Sequence, residues 1–116
     1  MSDPKQQFEK LSLEFSNQQT TLNDLISSRS KLETQFQENK IVMEELNLLN
    51  DESKIFKLTG PILMPQDYSE AKLNVSKRIE FIEDEISRVE KKIEDNQKSI
   101  EKTRDTILEL RSNMNK

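Results

Sequence analysis

Apolar residues recur along this chain at alternating spacings of three and four, in two long series. The first runs Phe8, Leu11, Phe15, Gln18, Leu22, Leu25, Arg29, Leu32, Phe36, Asn39, Met43, Leu46, Asn50. The second runs Val75, Ile79, Ile82, Ile86, Val89, Ile93, Asn96, Ile100, Thr103, Ile107, Leu110, Met114, without a stutter. An average period of 3.5 keeps one narrow stripe turned toward a partner helix, so each series predicts a long helix with a coiled-coil seam.

Local signals place the ends of these helices. Asp3 before Pro4 offers an acidic N-cap followed by a residue whose fixed φ suits the first helical position, which predicts a first helix over 4–50. About 47 residues at ~1.5 Å each give it a length of about 70 Å. Pro65 blocks helix continuation from before it, and Asp67 with Glu70 three residues on resembles a capping box, so the second helix is expected over 67–115.

Between the helices, Phe56 and Leu58 alternate with lysines, and β-prone residues flank Thr59-Gly60-Pro61, which includes the single glycine of the chain. This segment, 54–65, reads as a β-hairpin, with an irregular loop as the alternative. An isolated hairpin is marginal in water and leaves its edge N–H and C=O groups unpaired, so it calls for strands from other chains. A reversal at this point folds the helices back on one another. The expected fold is mainly α: a long antiparallel two-helix coiled coil joined by a single β-hairpin, one domain over residues 1–116.

Two registers are open. Facing positions whose numbers sum to about 125 set Arg29 opposite Asn96, Leu32 opposite Ile93 and Met43 opposite Ile82. A sum of about 118 faces Leu22 with Asn96 and Arg29 with Val89. The first is preferred because it pairs polar residues with each other rather than with hydrocarbon.

Apolar residues off the seam gather toward the hairpin: Ile41, Val42, Leu48, Leu49, Leu73 and Phe81, against Leu13, Ile26 and Leu108 in the outer halves. Such a surface beside unpaired strands reads as an assembly interface, formed by Phe56, Leu58, Ile62, Met64, Val42, Leu49, Leu73 and Phe81; scattered surface hydrophobics are the plainer alternative.

Composition narrows the function. With 32% hydrophobic and 34% charged residues, the 116-residue chain has too little apolar material for a thick core, which favours thin, paired-helix packing. The net charge of −4 comes from interspersed glutamate and lysine without a basic face, so nucleic acid is not an expected partner. No apolar run approaches the ~18 residues of a membrane span and no signal-peptide core follows Met1, so a soluble, cytoplasmic protein is expected, with no membrane partner. Absent histidine and cysteine remove zinc sites and the Ser-His-Asp and Cys-His constellations. Carboxylates such as Glu83 and Glu94 lie at helix-surface spacing from Ser87 and Lys98, and one glycine cannot build a phosphate loop. No enzyme, metal or cofactor is expected.

Three blocks carry a family resemblance. Lys31-Leu32-Glu33-Thr34-Gln35 through Gln37-Glu38-Asn39-Lys40 to Glu44-Glu45-Leu46, then Phe56-Lys57-Leu58-Thr59-Gly60-Pro61-Ile62-Leu63, then Glu70-Ala71, Asn74-Val75 and Lys77-Arg78-Ile79-Glu80-Phe81-Ile82 together resemble the β-type subunits of the prefoldin family. They cover about the central half of the chain; the outer coils match in periodicity alone. The resemblance implies a hexamer of two α-type and four β-type subunits whose hairpins build an intersubunit β-barrel. It also implies an ATP-independent co-chaperone that binds unfolded clients such as actin and tubulin and passes them to the cytosolic chaperonin. Client contact is then expected near the termini, at Phe8, Leu11, Phe15, Ile107, Leu110 and Met114, where ordinary seam packing is an equal claim. The alternative is a structural coiled-coil tether or scaffold subunit without chaperone activity.

Overall fold

The structure, a computed structural model, describes residues 3–49 and 65–115. Two helices account for nearly all of them: α1, Pro4–Leu48, and α2, Pro65–Met114. No strand occurs among the described residues. The hairpin expected over 54–65, with Phe56, Leu58, Ile62 and Met64, lies outside them except for Pro65, which is helical.

The start of α1 follows from two residues. The Asp3 carbonyl accepts the first intrahelical bond, from the Gln7 N–H at 3.0 Å, and Asp3 Oδ1 accepts from the Lys5 N–H at 3.4 Å. Pro4 occupies the first helical position, where its missing N–H costs nothing. The helix closes two residues before the expected end, with the Leu49 N–H turning back to the Leu46 carbonyl at 3.1 Å in a tightened final turn. In α2 the expectation needs correcting: the helix opens at Pro65, not at Asp67. Proline is itself a good first helical residue, so Asp67 sits inside the first turn, where its carboxylate suits the positive end of the helix dipole. Arg111 complements the other end.

The seam is visible in burial. Every described member of both heptad series is buried or half-buried except Met114, while the intervening positions are mostly exposed. The four most buried side chains, Val75, Ile82, Ile93 and Thr103, all belong to α2, and α1 contributes none. All four are β-branched. Their bulk lies at Cβ, close to their own backbone, where longer Leu, Phe and Met side chains from the opposite helix can cover them.

The described residues form two compact units. One unit, Ser30–Ser87, called inner because it spans the middle of the sequence, holds the end of α1 and the start of α2; the other, called outer, joins α1 up to Arg29 with α2 from Arg88 onward. Each unit fixes the register in the same way. In the inner unit, Glu33, Phe36 and Gln37 share a groove with Glu83, Ile86 and Ser87. In the outer unit, Leu11, Glu14 and Gln18 share a depression with Ser99, Lys102, Thr103 and Thr106. The outer depression, and in the inner unit a cleft that Met43 shares with Ser69, Lys72 and Ser76, fit facing residue numbers that sum to about 118, and the preferred sum of 125 is corrected by one heptad. The reason lies at the start of α2: a sum of 125 would leave its first turns without α1 beside them, whereas 118 sets Met43 against Val75, which is 8% exposed. Burying that apolar layer outweighs pairing the polar seam residues. The cost is visible in the outer unit, where the Gln18 Oε1 and Asn96 Oδ1 atoms are buried without a hydrogen-bond partner.

Candidate interaction surfaces

The residues expected at the free ends of the helices fall in the outer unit. Phe8, Leu11 and Phe15 on α1 and Ile107 and Leu110 on α2 are half-buried in the seam, while Met114 is 46% exposed. Half-burial is what a two-helix pair permits, because each seam side chain is covered from one side by a single partner. Apolar surface is thus partly presented at these positions even with the coil closed. Leu13 and Leu108 add to it from outside the seam, at 63% and 55% exposure.

In the inner unit, Val42, Leu73 and Phe81 are exposed and Leu49 is half-buried. Ile41 and Leu48 are exposed as well, so apolar side chains of this unit remain uncovered away from the seam. The heptad places them on different sides. Val42 and Leu49 share one position flanking the seam, Ile41 and Leu48 lie on the back of α1, and Leu73 borders a cleft with Met43, Ser69, Lys72 and Ser76. The set is therefore distributed around the inner unit rather than collected on one face.

One residue that the sequence pattern left unremarked ties the two helices together here. The hydroxyl of Tyr68, in the first turns of α2, donates to the Leu46 carbonyl near the end of α1. That carbonyl belongs to the last turn of α1, where intrahelical donors run out. A signal existed: Tyr68 is the single tyrosine of the chain, and a half-buried tyrosine needs a partner for its hydroxyl.

The charged faces are solvated. Lys98 Nζ and Glu94 Oε1 lie 3.2 Å apart at the i, i+4 spacing expected of them, with both side chains mostly exposed. Thr20, Thr21, Thr34 and Thr106 each turn their hydroxyl back onto the carbonyl four residues earlier. No helix among the described residues is long and apolar enough to cross a membrane.

Comparison with known proteins agrees with this arrangement. The prefoldin subunit family profile matches residues 9–112. Prefoldin subunit 6 of Saccharomyces cerevisiae is 48% identical over 101 residues, 87% of this chain and 89% of that protein. Prefoldin subunit 6 of Homo sapiens is 42% identical over 92 residues, 79% of this chain and 71% of that one. A probable prefoldin subunit 6 of Drosophila melanogaster is 38% identical over 93 residues, 80% and 74% of the two chains. No solved structure matches the chain significantly.

Proposed function

Because this chain belongs to the prefoldin subunit family, we propose that it works as a β-type subunit of a hexameric, ATP-independent co-chaperone. In this reading the segment 54–65 contributes a hairpin to a β-barrel shared with α-type and β-type partners. Phe56, Leu58, Ile62 and Met64, flanked by Val42, Leu49, Leu73 and Phe81, form the joint. The helix ends near the termini hold unfolded clients of the actin and tubulin kind through Phe8, Leu11, Phe15, Ile107, Leu110 and Met114, and the complex passes them to the cytosolic chaperonin. The setting is the cytoplasm.

The observation that carries this reading is near-full-length similarity at 48% identity to a prefoldin subunit 6. Exposed Val42, Leu73 and Phe81 support the joint, and the half-exposed apolar seam of the outer unit supports the client surface. The test separates the two. Native purification and mass measurement should return a hexamer of related small subunits. A chain lacking residues 1–11 and 108–116 should still enter that hexamer yet lose most of its ability to suppress aggregation of an unfolded client without nucleotide. Full protection by the truncated chain would move client contact elsewhere.

A further inference from the structure

The inner unit carries a second surface, separate from the helix ends. Phe36 and Ile41 of α1 and Ile86 of α2 line an open groove together with Glu33, Glu38 and Glu83. All three glutamates are exposed, and the remaining lining residues are uncharged. Ile41 is 54% exposed, and the Thr34 hydroxyl is turned back onto the Ser30 carbonyl at 3.1 Å. Neither Glu38 nor Glu83 has a basic residue three or four positions away on its own helix, unlike Glu94 with Lys98. The Lys40 ammonium lies 5.3 Å from the centre of the Phe36 ring, so one face of that ring already receives a cation.

We propose that this groove docks an amphipathic helix of a partner protein, one whose apolar stripe is bordered by lysine or arginine. Helix-in-groove recognition needs an apolar track as wide as one helical stripe, and Phe36, Ile41 and Ile86 supply it. The carboxylates set the sign of the partner: Glu33 and Glu38 line the groove from α1 and Glu83 from α2. An acidic helix would meet like charge, and a neutral one would gain nothing from the rim.

The test uses fluorescein-labelled helical peptides of about 16 residues, with leucine at i, i+3, i+4 and i+7. One carries lysine beside the stripe, a second glutamate in place of lysine, and a third serine in place of leucine. Anisotropy is read against the full chain and against its native assembly. The lysine peptide should bind at least about tenfold more tightly than either control, and more weakly as salt rises. Glu33→Lys with Glu83→Lys should remove about tenfold of that affinity with the helical circular dichroism unchanged, and Lys40→Ala should preserve or tighten binding. Equal binding of the lysine and glutamate peptides, or full binding by the double charge variant, would overturn the proposal. Loss of binding on removing residues 1–11 and 108–116 would do the same, by showing the peptide held as a client at the helix ends. Binding by the free chain but not by the assembly would assign the groove to a neighbouring subunit and sink it equally.

Discussion

Gln18 and Asn96 each bury a side-chain oxygen with no partner in a mostly apolar seam. Such an atom gives up its water and receives nothing back, a cost of about 1–3 kcal/mol in mutational series. Asn96→Leu should therefore raise the unfolding free energy by roughly that amount, read as a higher urea midpoint at unchanged slope. A fall in the midpoint would mean that the amide is satisfied in solution. Both residues stand out in the sequence as polar members of an apolar series, yet their surroundings did not. Which layer faces Asn96 depends on the sliding of one helix along the other, and the two choices differ by one heptad with the same local pattern. Pairing Arg29 with Asn96 favours one choice, and the burial of Val75 at the start of α2 weighs more heavily for the other.

At the level of the helices, α2 completes the end of α1. The Leu46 carbonyl takes both the Leu49 N–H and the Tyr68 hydroxyl, so removing the hydroxyl leaves it with one donor. Tyr68→Phe should accordingly cost about 1 kcal/mol or less, with the loss concentrated in faster amide exchange at Leu49 and the first turns of α2. Uniform exchange along both helices would count against a local clasp. The helices themselves were legible because period and capping are local properties: a 3.5-residue stripe, Asp3 before Pro4, and the breaks before Pro65 are read within a few residues. The start of α2 was misplaced by two residues for an equally local reason. Proline both ends one helix and suits the first position of the next, and the second property sets the start at Pro65.

For the whole molecule, membership of the prefoldin family makes assembly the property to perturb. If 54–65 is the joint, Phe56→Asp together with Leu58→Asp should abolish co-purification with the other subunits, because charge cannot enter a closed strand interface. The isolated chain should keep its helical circular dichroism. Normal stoichiometry with both substitutions would place the joint on the exposed apolar residues of the helices instead. A mechanical consequence follows from the two polar atoms stranded in the outer unit. Pulled apart by handles at residues 3 and 115, an antiparallel pair yields like a zipper, one rung under load at a time, so rupture force maps the strength of successive layers in order. The rungs holding Gln18 and Asn96 are its weak teeth. In an optical trap the outer unit, which holds both handles, should open at low force and re-close rapidly, and Asn96→Leu should raise that force.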